Sequence, residues 1–270
     1  DYYGRALAIR EELGNKRGIG NILNSIGVAH ANKGDYDKAL EHYSMSLIIR
    51  EELGDKSRMG QSLYNIGNIH FDKGDYDKSL DYRKRSLEIF EGLGDNRGMG
   101  YSLNNIGVVH ANKGDYDKAL DCYSRSLTIR EELGDKRGMG YSLNNIGVVH
   151  ANRDEHDKAV ESLEKSLAIQ KEIGLKAIEL LTTTYLYLSY KHLGKDYDEQ
   201  DIHILIKNAD NIEFELNFRL YQLLEDKSYL KIAYNQIQEK VDNLEPDVVK
   251  KFLNYPIPKQ IIEEYNKVFS

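Results

Sequence analysis

The chain has 270 residues, of which 40% are hydrophobic and 30% charged; this composition excludes a collagen-like or largely disordered chain, and no stretch approaches the ~20 consecutive apolar residues that a membrane-spanning helix needs. The 37 basic and 44 acidic side chains give a net charge of −7, which argues against a surface that binds nucleic acid through its phosphates. The single cysteine, Cys122, excludes an internal disulfide, so we expect a cytoplasmic protein.

A repeat of 40 residues organises the chain. The string Gly-Asp-Tyr-Asp-Lys begins three times, at Gly34, Gly74 and Gly114. One period later Asp154 stands in the place of the glycine, in the weaker copy Asp-Glu-His-Asp-Lys. A second string, Asn-Asn-Ile-Gly-Val-Val-His-Ala-Asn, occupies residues 104–112 and again residues 144–152. Repetition at this period indicates an array of stacked units, and copies this similar leave both recent duplication and consensus design open.

Each unit is predicted to be a pair of helices. One stripe of the first helix consists of Leu103, Ile106, Gly107 and His110, at the spacing i, i+3, i+4 and i+7. Gly114 suits the left-handed end of this helix, and Asp115 is placed to cap the next one. The second helix is predicted from about Tyr116 to Leu133, with an apolar side of Ala119, Leu120, Tyr123, Leu127 and Ile129. Because neither helix can bury its stripe alone, the units are expected to stack into a solenoid.

These residues resemble the signature of the tetratricopeptide repeat. In the order of that family, the signature falls on Leu103, Ile106, Gly107, His110, Gly114, Tyr116, Ala119, Tyr123 and Ser126. The resemblance recurs over residues 1–195 and is similar to the subgroup with long, 40-residue units found in kinesin light chains, Pins-type adaptors and bacterial Rap-type regulators. It implies an all-α, right-handed superhelical solenoid of antiparallel helix pairs. Two departures are a histidine in place of the usual tyrosine of the first helix, and a longer second helix in place of the terminal proline.

The two ends of the chain depart from the regular unit. Asp1-Tyr2-Tyr3 aligns with Asp121-Cys122-Tyr123 inside a second helix, so we interpret the array as starting in the middle of a repeat, as a segment of a longer protein. The period fades after Gly174. We expect residues 175–193 to form one more first helix. Residues 196–270 are expected to form a degenerate repeat and capping helices, with helices near 211–224 and 227–244 and two short ones after Pro246. Since this end is the least regular, it is predicted to open first.

One further face of the first helices carries the functional prediction. The resemblance implies that this face lines the concave groove, where the family binds peptides or partner proteins. Its rows are Asn21, Gln61, Tyr101 and Tyr141; Asn24, Tyr64, Asn104 and Asn144; Val28, Asn68, Val108 and Val148; and Ala31, Phe71, Ala111 and Ala151. Amide and phenol groups suit an extended peptide backbone. We therefore predict peptide binding by Asn24, Tyr64, Asn68, Tyr101, Asn104, Tyr141 and Asn144, while a role of the asparagines in solubility or in bridging units stays open.

Two arginines at the starts of first helices extend this prediction. Arg97 and Arg137 follow Glu-Gly-Leu-Gly and Glu-Glu-Leu-Gly segments. A guanidinium group pairs with a carboxylate through two hydrogen bonds, so both arginines are placed in the predicted peptide site. The alternative, that neighbouring glutamates take these charges, remains open at this point.

Metal, cofactor and catalytic sites are not predicted. His30, His70, His110 and His150 recur one per unit, but equivalent helices are about 8–10 Å apart, whereas zinc ligands lie at about 2.0–2.1 Å, so packing is the expected role. The Gly-x-Gly segments at Gly98–Gly100 and Gly138–Gly140 lack the third glycine of a nucleotide fingerprint and are expected to allow close helix approach. We find no polar constellation outside the repeat, and therefore predict that the chain is not an enzyme.

The sequence thus predicts a non-catalytic scaffold that binds a protein or an extended peptide in its groove, with neither nucleic acid nor membrane as partner. A different class of function stays open: a self-associating regulatory segment of a larger signalling enzyme whose catalytic domain lies elsewhere. An engineered consensus-like scaffold is the third alternative.

Overall fold

A computed structural model describes residues 2–269, and within them every regular element is helical. The helices are α1 (Tyr2–Glu12), α2 (Lys16–Ala31), α3 (Tyr36–Glu52), α4 (Lys56–Asp72), α5 (Tyr76–Leu93), α6 (Asn96–Lys113), α7 (Tyr116–Glu132), α8 (Lys136–Asn152), α9 (His156–Ile173), α10 (Glu179–Leu193), α11 (Glu199–Lys207), α12 (Phe214–Leu224), α13 (Lys227–Asp242), α14 (Pro246–Leu253) and α15 (Pro256–Phe269). A 3-10 turn over Lys176–Ile178 precedes α10. The predicted all-α architecture of paired helices is confirmed, and no helix in this range has the length and apolar character needed to cross a bilayer.

The turns between paired helices contain the predicted left-handed glycines, but the aspartate that follows the glycine caps the next helix in only some of the pairs. Gly34, Gly74 and Gly114 all have positive φ, between 72° and 84°, a conformation that residues with a Cβ adopt at a cost. Asp75 caps its helix by accepting a hydrogen bond from the backbone N–H of Lys78. Asp115 makes no such cap. Its carboxylate oxygen Oδ2 instead lies 3.2 Å from Nδ1 of His110.

Glycines in the first helices allow the two helices of a pair to approach closely. A Cβ built on Gly60 would lie 2.9 Å from the ring of Phe90, which is too close for two carbon atoms. The carbonyl of the same glycine accepts a hydrogen bond from the buried hydroxyl of Ser86, at 2.8 Å. Ser46 and Gly20 repeat this bond one unit earlier, at 2.7 Å. Among the Gly-x-Gly residues for which this role was expected, Gly98 fits it, since its built Cβ would lie 2.5 Å from the ring of Phe90, whereas that of Gly140 would lie at an ordinary 3.6 Å from Ile169.

The chain divides into two compact units at the boundary between Val109 and His110. In the first unit the largest apolar cluster joins second and first helices of successive repeats through Ala39, Tyr43, Leu47, Leu63, Ile66 and Ile69. The second unit contains a cluster around α9 and α10 and another in the C-terminal helices. The sequence-based division at residues 195 and 196 stays a prediction.

The C-terminal region has more structure than the fading repeat suggests. The helices predicted near 211–224 and 227–244, and the two after Pro246, are present, whereas α11 was not predicted. Its N-cap Asp198 accepts a hydrogen bond from the N–H of Gln200, and its residue Ile202 is fully buried. The cluster in α12–α15 consists of Phe218, Leu230, Ala233, Ile237, Phe252, Ile257 and Ile261. The end of the chain is therefore a packed helical subdomain and not only a polar cap.

Candidate functional site

The predicted peptide-binding residues of the first unit lie at its surface or half-buried. Tyr101 is 49% exposed. Four others are half-buried, namely Asn24, Tyr64, Asn68 and Asn104. Part of each side chain packs against the protein, and part of it faces solvent. This placement is compatible with a binding face.

Two of these asparagines have a fixed orientation. Oδ1 of Asn24 accepts hydrogen bonds from Nδ2 of Asn65 at 3.2 Å and from Nη1 of Arg50 at 3.4 Å. Oδ1 of Asn68 accepts one from Nη2 of Arg83 at 3.0 Å. Since a guanidinium group only donates, the amide oxygens must face the arginines. The Nδ2 groups of Asn24 and Asn68 are left without partners in the described part of the chain, and are available to donate to carbonyl oxygens.

Asn144 corrects the sequence-based prediction. It is 1% exposed, and its Oδ1 accepts a hydrogen bond from the hydroxyl of Thr182 at 2.7 Å. The same hydroxyl accepts from Nε2 of Gln170, also at 2.7 Å. Asn144 is therefore part of a buried polar network that links α8, α9 and α10, and it is not accessible to a peptide. The near-identical sequence around Asn104 did not reveal this, because the partners of Asn144 come from the next, irregular repeat.

A second internal network of the second unit involves Arg219 of α12, which is 9% exposed. Its Nη2 donates to Oδ1 of Asn152 at 2.8 Å, and its Nε donates to the hydroxyl of Tyr185 at 3.1 Å. That hydroxyl donates to Glu215 at 2.6 Å, and burial raises the pKa of Tyr185. Asn152 directly follows the fourth predicted row, so the C-terminal helices engage the edge of this face in the second unit.

The remaining candidates differ in their local ion pairs. Tyr141 is half-buried, and Arg97 and Arg137 are exposed. Arg58 pairs with Asp55 at 2.8 Å, and Arg17 lies 3.8 Å from the same carboxylate. Among the described residues, no carboxylate lies within ion-pairing distance of Arg97 or Arg137. The suggestion that neighbouring glutamates take these two charges is thus not supported.

Sequence reasoning missed a buried arginine beside the predicted face. Arg50, in the last turn of α3, is 4% exposed. Its Nη1 donates to the carbonyl of Arg58 at 2.8 Å and to Oγ of Ser62 at 2.6 Å. Burial, with a smaller contribution from Arg58, lowers the pKa of Arg50. The available signal was the recurrence of arginine at positions 10, 50 and 130, where the neighbouring glutamates made the segment look like a solvated charge run.

Comparison with known proteins agrees with the helical-repeat fold. A family model described as tetratricopeptide repeat matches residues 18–92, 58–132 and 98–172, and so covers more than half of the chain. The chain belongs to the tetratricopeptide repeat family. No curated protein matches it significantly in sequence.

Solved structures of similar fold include repeat proteins from bacteria and fungi. The apo form of RapI has a TM-score of 0.67 and 14% identity, over 98% of this chain and 81% of RapI. The Rap conjugation gene regulator of the plasmid pLS20, in complex with the Phr* peptide, has a TM-score of 0.66 and 13% identity, over 96% of this chain and 78% of the regulator. A putative kinesin light chain from Podosopora anserina with nearly identical TPR-like repeats has a TM-score of 0.54 and 12% identity, over 76% of this chain and 95% of the light chain. At these identities the likeness shows the fold alone.

The histidine row of this tetratricopeptide array connects the paired helices. Nδ1 of His30 lies 3.1 Å from Asp35, and Nδ1 of His150 lies 2.7 Å from Glu155. His110 is the buried member of the row at 7% exposure, and the other three are half-buried. The expectation of a packing role is thus only partly correct, because the ring also binds the acid that begins the next helix.

An open cavity of about 910 Å³ lies between α10, α12 and α15. Charged side chains contribute much of its lining, and several of them bond within it. Lys191 lies 2.7 Å from Glu225, and Glu264 accepts from the hydroxyl of Tyr221 at 2.9 Å. Lys267 lies 3.5 Å from Glu264. Since these charges compensate internally, the cavity offers little net attraction for a charged ligand.

Proposed function

We propose that the chain is a non-catalytic scaffold that binds a protein or an extended peptide segment on the face of its first helices that was predicted to line the concave groove. The observation that carries the proposal is the fixed orientation of Asn24 and Asn68. Their oxygens are held by buried arginines, and their Nδ2 donors are left for a ligand. A row of such donors suits the carbonyl groups of an extended backbone, which repeat along a peptide chain.

Aromatic side chains supply apolar contact area on the same face. Tyr64 and Tyr101 are rigid and amphipathic, so they bury area at a low cost in side-chain entropy. Membership of the tetratricopeptide repeat family supports this kind of function, and one neighbour of the same fold is a Rap regulator solved with a peptide. We place the main binding surface in the first unit and include Asn104 and Arg97 in it. Within the second unit by itself, Tyr141 and Arg137 stay candidates for peptide contact, whereas Asn144 is left out because it is buried.

The test is selection of twelve-residue peptides from a random-sequence library against the full chain, followed by calorimetry. The double variant Tyr64→Ala with Tyr101→Ala should bind the selected peptides at least tenfold more weakly than the wild type, because two aromatic contacts are lost. Met45→Ala with Ile48→Ala is the matched control, since it removes two exposed apolar side chains from the second helix α3. Failure to select any peptide, or equal weakening by both double variants, would contradict the proposal.

A further inference from the structure

Two histidines that depart from the regular repeat meet where α9 begins and α10 ends. His156 is the first residue of α9 and stands where the preceding unit has Tyr116. His192 lies in the last turn of α10 and stands where the preceding unit has Asn152. The two rings stack, with their centroids 4.2 Å apart and their planes at 6° to each other. The irregular copy of the repeat thus has a face-to-face pair of titratable rings in place of two regular residues.

The surroundings of His156 provide no buried acceptor for a second ring proton. Its Nδ1 is buried and has no hydrogen-bond partner. Since a charged imidazolium ring carries a proton on both nitrogens, protonation leaves a buried N–H group without an acceptor, which is costly. Within the described chain, only Asp154 places a carboxylate within 4.0 Å of either ring, and this side chain is 92% exposed. The neutral ring of His156 therefore fits its surroundings better than the charged ring.

The other charged groups near the pair do not compensate a positive charge on it. Glu155 directly precedes His156, but its carboxylate already contacts His150, Arg153 and Lys158. On the opposite side, His192 lines the cavity between α10, α12 and α15. The charged residues that line this cavity with it are Lys191, Glu225, Lys227, Glu263, Glu264 and Lys267. Because three of these are basic and three are acidic, they provide no net negative charge.

The combined effect of these groups lowers the pKa of His156 from its usual value of 6.5. Burial is the largest cause, followed by the charge of His192, whereas Asp154 and Asp157 act in the opposite direction. A histidine whose pKa is lower in the folded state stabilises that state above the usual value, and this contribution is lost as the pH falls through the lower folded value. Acid therefore favours separation of the two rings.

A second stacked pair of histidines differs from this one in both respects. The rings of His30 and His42 are 5.5 Å apart, and Nδ1 of His30 lies 3.1 Å from the carboxylate of Asp35. A proton on that pair has an acid beside it and lies further from the other ring. Repulsion between two protonated rings is therefore expected to be strongest between His156 and His192.

We propose that His156 and His192 form a pH-sensitive joint, which holds the end of α10 against the start of α9 at neutral pH and opens when both rings are protonated. The opening is local, because the apolar cluster that contains Leu163, Tyr185 and Leu186 still joins the middle parts of these helices. The joint lies where the regular repeats give way to the C-terminal helices, so acid is expected to loosen the second unit at this point. This inference does not depend on peptide binding.

The regular repeat supplies the test variant. His156→Tyr with His192→Asn gives the joint the residues of the preceding unit and removes both titratable rings. His203→Asn is the control, because this histidine of α11 has a side chain that is 52% exposed and lies 3.6 Å from Glu199. The control thus removes one histidine from the second unit without changing the joint.

Amide hydrogen exchange of the full chain, at about pH 7.5 and about pH 5, measures opening on either side of the usual pKa of histidine. After correction for the intrinsic pH dependence of exchange, the opening of the first turn of α9 and the last turn of α10 should increase by about tenfold at the lower pH in the wild type and in His203→Asn. In the double variant the increase should be less than about twofold. An equal increase in the wild type and in the double variant would overturn the inference.

A second measurement requires only one substitution at an exposed position. The pKa of His156, followed by NMR titration of its ring, should increase in His192→Asn, because the charge of the neighbouring ring is removed. The titration of His203 should stay the same. If the titration of His156 does not change in His192→Asn, the two rings are not coupled and the inference is wrong, while the proposed function is unaffected.

Discussion

At the residue scale, buried polar side chains decide which asparagines are available for binding. Asn24 and Asn144 occupy equivalent positions in their repeats, but Asn24 is half-buried and Asn144 is 1% exposed. The partner of Asn144 is Thr182, in a position where the regular repeats have serine.

The change Asn144→Ala should therefore destabilise the fold. It removes one acceptor of the Thr182 hydroxyl, which can still donate to the backbone carbonyl of Ile178 at 2.9 Å. The lost buried hydrogen bond should cost roughly 0.5–1.5 kcal/mol. The exposed Asn21 serves as the control, because Asn21→Ala should change the free energy of unfolding by less than about 0.5 kcal/mol. Urea unfolding of both variants checks the prediction, and equal stabilities would place Asn144 outside any structural network.

Asp154 provides a second prediction at this scale. It stands where the other regular units have glycine, and its φ of 58° lies in the left-handed region. Its side chain is 92% exposed, so little is lost when it is removed. Asp154→Gly should stabilise the chain by about 0.5–1 kcal/mol, since the backbone strain of a residue with a Cβ is relieved.

The mirror change Gly34→Asp is the matched control for Asp154. Gly34 has φ of 78° and no atom within 4 Å of a built Cβ, so the change should destabilise the chain by a similar amount. Thermal unfolding measures the midpoint of each variant against that of the wild type. Midpoints that shift in the same direction for both variants would contradict this account.

At the element scale, a histidine–carboxylate contact ties the first helix to the start of its partner in the pairs that contain His30, His110 and His150. In the first pair, the hydrogen bond from His30 is the main reason that the pKa of Asp35 lies below its usual value of 3.8. A carboxyl group whose pKa is lower in the folded state stabilises that state above the unfolded pKa, and loses this contribution as the pH falls through the folded value.

We therefore expect the stability difference between the wild type and Asp35→Asn to be largest near neutral pH and to shrink below about pH 4, the usual range of this carboxyl group. Urea unfolding at pH 6 and pH 3 measures the difference. Glu41→Gln, at an exposed position of the same helix, controls for the general effect of one charge. A difference that is the same at both pH values would show that the contact does not contribute.

At the scale of the whole molecule, local packing and the regularity of the repeats give different predictions of which helices open first. The fading period suggests that the C-terminal end opens first. However, α12–α15 enclose their own apolar cluster, in which Leu230, Ile237 and Ile261 are fully buried. In α1, by contrast, Ile9 is 55% exposed, and Leu13, directly after this helix, is 70% exposed.

Amide hydrogen exchange should therefore show the fastest helical exchange in α1 and slow exchange in α13. The physical reason is that local opening is easiest where few apolar contacts are lost. The amides of α8 and α9 serve as an internal reference, since this pair is regular and contains the buried Ala159 and Leu163. Exchange of α13 before α1 would favour the prediction made from repeat regularity.

The sequence by itself determined the architecture, because the 40-residue period places an apolar stripe in every unit and a glycine at most of the turns, and each unit can bury its stripe only against its neighbours. It also located the face that carries Asn24, Tyr64 and Tyr101. Tertiary structure decided which members of that face remain accessible, since Asn144 is closed off by residues from an irregular repeat. It likewise placed Arg50 beside Asn24. These contacts join residues 26 and 38 positions apart, and hydrogen bonds between helices depend on packing distances that helical periodicity does not contain.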